Sequence, residues 1–219
     1  MKSITVIGPC YNEEQNIDEF ISRITKVLEK IKLNYLILLV DDGSKDNTWQ
    51  KILYYSKQND KIKGIKLTRN FGQQNAAMAG INYCDSDYVL LSDVDLQDPP
   101  ELLEEMYNKI IKNKLNVIYA KRLKSNESFF KKYSSIIFYK IYNLVSNTKI
   151  IEQASDFVLF NKKVLKQIKN IKEKDVFLRG LIPWLGFNSD YVEFEREKRK
   201  RGLTGWSTFK MLNYAVTAF

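Results

Sequence analysis

Two rhythms of apolar side chains alternate along the chain. Ile4-Val6-Ile7, Leu36 to Val40, Ile62 to Leu67, Tyr88 to Leu91 and Val117 to Ala120 are short apolar runs bounded by turn residues, and each predicts a buried strand. Between them the period lengthens. Ile17, Phe20, Ile21, Ile24, Val27, Leu28 and Ile31 recur at three- and four-residue spacing as one helical stripe. Leu102, Leu103, Met106, Ile110 and Ile111 form a second. Strand and helix in alternation predict an α/β fold, a mostly parallel sheet flanked by helices. Chemistry in such a sheet gathers beyond the carboxyl ends of the strands. Here those ends carry Pro9, Tyr11, Asn12 and Glu13, then Asp41 to Ser44, then Arg69 to Gly72, and then an acidic run from Asp93.

Two later stretches follow a different pattern. Ser128 to Val145, with Phe129, Phe130, Tyr133, Ile136, Ile137 and Phe138, is strongly apolar for a surface helix, and an interfacial helix, core packing and a dimer contact all fit it. Ser207 to Phe219 begins an amphipathic helix of juxtamembrane type. No uninterrupted apolar run reaches the roughly 18 residues that span a bilayer. The expected division is one domain over residues 1–205, with the start of the amphipathic helix over 206–219.

Composition narrows the chemistry. The 219 residues, 44% of them apolar, suffice for one well-filled core. The apolar run at the N-terminus is too short for a signal peptide, so the chain is expected in the cytosol. Cys10 and Cys84 make neither a disulfide framework nor a zinc site. There is no histidine, which excludes Ser-His-Asp and Cys-His catalysis and leaves Asp or Glu as general base. No Gly-x-Gly-x-x-Gly or Walker loop is present, so phosphate falls to a metal and to basic side chains.

The formal charge of +9 is concentrated. Arg196 to Arg201 reads Arg-Glu-Lys-Arg-Lys-Arg, and Lys121, Arg122, Lys124, Lys131 and Lys132 form a looser group. Singly, such lysines serve solubility. As groups they suit phosphates or an anionic membrane face, at about 1 kcal/mol per charge. Nucleic acid is disfavoured, because the aromatic residues are dispersed rather than interleaved with the basic run.

The most informative run is Ser92-Asp93-Val94-Asp95-Leu96-Gln97-Asp98-Pro99-Pro100. Asp93, Asp95 and Gln97 occupy alternate positions after a strand, and such hard oxygen donors suit Mg²⁺ or Mn²⁺ shared with substrate phosphates. That pattern points to a nucleotide-sugar or nucleotide site. Asp98 is expected to cap the helix that begins near Pro100.

Four blocks in order, Pro9-Cys10-Tyr11-Asn12-Glu13-Glu14, Val40-Asp41-Asp42-Gly43-Ser44-Lys45-Asp46, Arg69-Asn70-Phe71-Gly72 and Asp93 to Pro100, resemble the family 2 glycosyltransferases with a GT-A fold. Within them the chain is similar to the dolichyl- or polyprenyl-phosphate sugar synthase branch. Ser155-Asp156-Phe157, Phe177-Leu178-Arg179-Gly180-Leu181 and Arg199 to Ser207 extend the resemblance over nearly the whole chain. Bacterial enzymes of this branch commonly continue into membrane helices.

The resemblance implies inverting transfer of a hexose from a UDP- or GDP-sugar. It puts Pro9, Tyr11, Glu13 and Asp41 or Asp42 around the nucleobase and ribose, with Arg69 and Asp93 near the nucleotide. Asp95 and Gln97 would hold Mg²⁺ or Mn²⁺, and Arg199 and Arg201 the pyrophosphate. Asp156 would be the catalytic carboxylate, acting with Asp95, and Arg122, Lys131 and Lys132 would face the acceptor phosphate. Plainer roles compete. Asp42-Gly43-Ser44 also makes a tight turn, Arg69 a surface ion pair, and Asp156 a local turn at the start of a strand.

Two acceptors stay open. Polyprenyl (undecaprenyl) phosphate would place the enzyme on the cytoplasmic face of an anionic membrane, in peripheral contact with it. A glycan hydroxyl would place it in surface-polysaccharide assembly. The hydroxyl needs Asp156 as general base, whereas a phosphate monoester, with its second pKa near ~6, scarcely needs deprotonation. A non-catalytic basic module binding lipid or RNA is a third reading, opposed by the intact Asp93-Asp95-Gln97 run. A homo-oligomer is compatible with all three.

Overall fold

The computed structural model describes residues 2–123, 153–173 and 176–195. The first strands and helices are β1 (Ser3–Cys10), α1 (Ile17–Lys30), β2 (Asn34–Asp41), α2 (Thr48–Gln58), β3 (Ile62–Lys66), α3 (Gln73–Tyr83) and β4 (Tyr88–Leu91). They are followed by α4 (Leu102–Lys112), β5 (Val117–Arg122), β6 (Ala154–Asn161), α5 (Lys162–Lys169), α6 (Leu178–Trp184) and β7 (Ser189–Phe194). Among the described residues the strands join one seven-stranded sheet in the order β3-β2-β1-β4-β6-β5-β7.

The five strands expected from apolar runs are all present, with β3 ending one residue early and β5 extending to Arg122. The β1, β2, β3 and β4 pairings are parallel, as is that of β5 with β7, and β6 alone runs against its neighbours β4 and β5. The sheet is therefore mostly parallel, and it is buried on both faces, which explains why its central strands read as continuous apolar runs. One face packs on α1, α2 and α4 through Phe20, Ile24, Ile52 and Met106, and the other on α3, α5 and α6 through Ala76, Ile81, Leu165 and Ile182.

α3 lies close to the sheet because it is built from small residues. A Cβ on Gly80 would stand 2.5 Å from Ile7 Cγ2. Its run Ala76-Ala77-Met78-Ala79-Gly80 lets the backbone approach β1, so the first turn of the helix sits hard against the polar ends of the strands.

Two expectations at α4 are corrected. The helix begins at Leu102 with Glu101 in the capping position and no side-chain cap, so Asp98 does not cap it. Pro99 and Pro100 instead supply carbonyls to the N–H groups of Leu102 and Leu103, and the buried Asp98 faces Arg122. Ile111 is 42% exposed and leaves the apolar stripe, which is closed by Leu103, Met106 and Ile110. The Ser128 to Val145 stretch and the 206–219 helix lie outside the described residues, as does the boundary drawn at residue 205. Among the described residues no helix is long and apolar enough to cross a membrane.

Candidate active site

The loops after β1 and β2 are stitched together. Asn12 N–H donates to Ser44 Oγ (2.9 Å) and Lys45 N–H to Asn12 Oδ1 (2.8 Å). Glu13 N–H donates to Thr48 Oγ1 (2.8 Å), Glu14 N–H to Asp46 Oδ2 (3.2 Å) and Asn47 N–H to Glu14 Oε2 (2.9 Å). The Tyr-Asn-Glu-Glu and Asp-Asp-Gly-Ser blocks thus make one platform, with the half-buried Tyr11 and Glu13 on it. Glu13 also accepts from the Asn16 side chain.

The two adjacent aspartates differ in role. Asp42 is buried, and its carboxylate accepts the N–H groups of Phe71 (2.7 Å) and Gly72 (2.9 Å), which fixes the loop after β3. Asp41 is also buried. Its Oδ1 accepts Ser44 N–H at 3.1 Å, while Oδ2 has no hydrogen-bond partner among the described residues. A buried oxygen in that state suits a donor N–H from outside the chain. On the loop that Asp42 holds, Arg69 is exposed and stacks on Phe71 at 4.0 Å from the ring centroid.

Gly43 is the point of closest contact between these loops. It has φ +70°, and a Cβ there would lie 2.5 Å from the Arg69 carbonyl carbon. Gly43→Ala is expected to cost about 2 kcal/mol or more through the positive φ and the clash. For a chain of this size that is a fall of roughly 4–8 °C in melting temperature, measurable by calorimetry.

Beyond β4, burial alternates along the acidic run. Val94, Leu96 and Asp98 are buried, while Asp93, Asp95 and Gln97 retain surface. Val94 and Leu96 anchor the run in the core. Leu96 adopts φ +60°, closing a turn in which Asp95 Oδ1 accepts Gln97 N–H at 3.1 Å. The alternation expected from the sequence is present, but it is produced by a turn rather than by a continued strand.

Like charges crowd this turn. Burial first, then the charges of Asp156, Asp95 and Asp98, push the carboxyl group of Asp93 well above the usual carboxylate range. The Gln73 amide, donating to Asp93 Oδ1, acts in the opposite direction. Arg122 Nη2 stands 3.3 Å from Asp98 Oδ1. Arg122 Nε is buried with no hydrogen-bond partner among the described residues.

Asp156 reaches the same edge because β6 is reversed. An antiparallel strand brings its beginning to the edge where parallel strands end, as the pairing of Leu91 with Val158 and of Lys121 with Ala154 shows. Both Asp156 oxygens are engaged by Arg179 from α6, with Nη2 to Oδ2 at 2.9 Å and Nε to Oδ1 at 3.2 Å. Pro9, Gln73, Gln74, Asp93, Asp156 and Arg179 all line one small cavity of about 30 Å³, room for a water or two.

The family model described as glycosyl transferase family 2 matches residues 5–169. The chain is a family 2 glycosyltransferase. This glycosyltransferase is 36% identical over 214 residues to the uncharacterized glycosyltransferase sll0501 of Synechocystis, covering 97% of the chain and 67% of that protein. It is 31% identical over 213 residues to the bactoprenol glucosyl transferase of Shigella phage SfV, covering 97% of the chain and 69% of the relative. The chain thus spans about two thirds of the length of these relatives. Among solved structures, the mannosyltransferase PcManGT of Pyrobaculum calidifontis, in complex with GDP-Man and Mn²⁺, superposes with TM-score 0.60 at 18% identity. That match covers 90% of the chain and 58% of PcManGT, and the likeness is one of fold, the GT-A fold.

In this glycosyltransferase, Pro9, Asp93 and Asp156 meet at one cavity, with Asp95, Gln97 and Asp98 along the adjoining turn and Arg122, at the end of β5, paired with Asp98. Asp41, Asp42 and Arg69 belong to the neighbouring platform. Lys131, Lys132, Arg199 and Arg201 lie outside the described residues. Gln73, Gln74 and Arg179 had no assigned role from sequence. Gln73 and Gln74 directly follow the Arg69 to Gly72 block, and Arg179 lies in the Phe177 to Leu181 block, so their places were marked although their contacts were not.

Proposed function

We propose that this glycosyltransferase moves a hexose from a UDP- or GDP-sugar onto polyprenyl phosphate, with inversion at the anomeric carbon and with Mg²⁺ or Mn²⁺ on the donor diphosphate. The observation that carries the acceptor is the state of Asp156. Arg179 holds both of its oxygens through charge-assisted hydrogen bonds. A carboxylate committed at both oxygens to a guanidinium suits a positioning role, and an acceptor phosphate that arrives already ionised asks no base of it. The 31% identity to a protein named bactoprenol glucosyl transferase supports the same acceptor.

The donor set of the turn fits a divalent cation. Asp95 and Gln97 offer hard oxygens beside the carboxyl group of Asp93, which the charges of Asp156, Asp95 and Asp98 push up. Among the described residues no three carboxylate or thiol side chains are disposed to hold an ion by themselves. The remaining positions would fall to donor phosphates and water. When bound, the cation offsets the charge that develops on the departing diphosphate. PcManGT, solved with GDP-Man and Mn²⁺, supports that assignment at the level of the fold.

The chain's own groups would then divide the work. Asp41 Oδ2 accepts a base N–H, with Pro9, Tyr11, Glu13 and Arg69 beside the nucleoside. The acceptor phosphate oxygen attacks the anomeric carbon in line as the bond to the diphosphate oxygen breaks. The bonding pair leaves on the nucleoside diphosphate, and no proton has to move. Arg122 Nε, a buried donor, suits the incoming phosphate, and Lys131, Lys132, Arg199 and Arg201 supply further cations in this scheme. Peripheral contact with the cytoplasmic face of an anionic membrane belongs to the same proposal.

The test is a panel of UDP- and GDP-sugars with Mn²⁺ or Mg²⁺, with and without undecaprenyl phosphate, scored for an organic-extractable sugar product. Lipid-dependent product formation is expected. Transfer only to a soluble glycan would replace the acceptor, and absence of donor binding would remove the nucleotide-sugar assignment.

A further inference from the structure

The first turn of α3 carries two adjacent glutamines that reach in different directions. Gln73 Nε2 donates to Asp93 Oδ1. Gln74 Oε1 accepts the N–H of Leu178 at 3.0 Å, across 104 residues of sequence. Leu178 is the first residue of α6, whose early N–H groups have no partner within the helix, and no side chain of Phe177 caps it. Gln74 therefore fixes the end of α6 at the residue beside Arg179. Arg179 in turn grips Asp156 with a two-pronged fork at 2.9 and 3.2 Å. Since α6 has only seven residues, its own helical hydrogen bonds do little to hold it in place.

We propose that Arg179 is the positioning residue of Asp156, and that Gln74 positions Arg179, so that one helical turn sets both carboxylates that face each other across the site. The inference rests on the reading of Asp156 as the carboxylate beside the acceptor. A guanidinium fork fixes both the place and the plane of a carboxylate, which a lysine ammonium does not. Misplacing a reacting neighbour by about 1 Å costs on the order of 10²-fold in rate. The close seat of α3 on β1, given by Gly80, keeps the glutamines from shifting.

The experiment is a double-mutant cycle on the full chain with the donor and undecaprenyl phosphate that wild type uses, with circular dichroism to confirm folding. Arg179→Ala is expected to lower kcat roughly 10²-fold with the donor KM little changed. Arg179→Lys is expected to recover only part of that loss. Arg179→Ala added to Asp156→Ala is expected to cost nothing further, because Arg179 acts through Asp156. Millimolar guanidinium is expected to restore about tenfold in Arg179→Ala and nothing in the double variant, a rescue that a merely structural role would not show. Gln74→Met is expected to lower kcat less than Arg179→Ala and to have no effect in the Arg179→Ala background. Independent, additive losses from Arg179→Ala and Asp156→Ala would overturn the proposal, as would an Arg179→Ala enzyme of wild-type rate. A fully active Asp156→Ala enzyme would sink the reading beneath it instead.

Discussion

Asp95→Ala protein is expected to release nucleoside diphosphate about 10³-fold more slowly than wild type at saturating Mn²⁺, with the fold intact. The expectation follows from what Asp95 holds. Its carboxylate retains surface on the turn after β4, where Oδ1 accepts the Gln97 N–H at 3.1 Å. Losing that contact costs about 1 kcal/mol, a fall of a few degrees in melting temperature for a chain of this size. Losing a ligand of a divalent cation on the donor diphosphate removes several kcal/mol of transition-state stabilisation, and about 1.4 kcal/mol is a tenfold change in rate. Chelation of wild type should reproduce the kinetic loss and Mn²⁺ or Mg²⁺ should reverse it, whereas added metal should leave Asp95→Ala inactive. A variant that retained wild-type turnover would remove Asp95 from the metal site.

Asp93→Asn is expected to move stability and activity in opposite directions. The Asp93 carboxyl group is pushed up by burial and by Asp156, Asp95 and Asp98. In the unligated protein its charge therefore works against the folded state. The sign follows from linkage: a carboxyl group raised in the folded state favours folding when protonated, and that advantage is lost as pH rises through its folded pKa. Asparagine keeps the shape and the oxygen that accepts from Gln73 while removing the charge. The variant should thus melt a few degrees above wild type at neutral and alkaline pH, at about 2–4 °C for each kcal/mol. The difference should shrink as pH falls and vanish below about 3.9, where the carboxyl group is neutral in both states. Donor turnover should fall sharply, because the charge that works against folding is one that a bound cation would use. Calorimetry across pH, beside the transfer assay, checks both halves. A variant less stable than wild type at pH 8 would contradict the electrostatic account.

Much of the parallel half of the fold was legible in the sequence, for a definite reason. β1, β2 and β4 are buried on both faces, so their identity is written as apolar runs, and α1 and α4 carry amphipathic stripes on the scale of single helices. β6 and β7 were harder to read. β6 begins with Ala154, Ser155 and Asp156, and its polar start looks like a turn until its reversed neighbours are known. α3, rich in alanine and glycine, carries little periodic signal, although its smallness is what lets it press on β1.

The candidate site divides along the same line. Residues that hold ligands through their own chemistry announce themselves as types in a spacing, and the alternate positions of Asp93, Asp95 and Gln97 after a strand are legible in the sequence. Asp41 and Asp42 are neighbours of identical chemistry. Only tertiary structure decided that Asp42 spends both oxygens on Phe71 and Gly72 while Asp41 keeps one buried oxygen without a partner among the described residues. The same holds for Asp98, which the sequence assigned to a helix cap and the structure turned toward Arg122. By itself, then, the sequence determined the family, the sheet and the kinds of atom at its edge, because periodicity and residue type are local properties. Which carboxylate faces which cation was decided by packing between segments as distant as Asp156 and Arg179 on one side and Gln74 and Leu178 on the other. Those contacts depend on the strand order and on the reversal of β6, which no local pattern encodes.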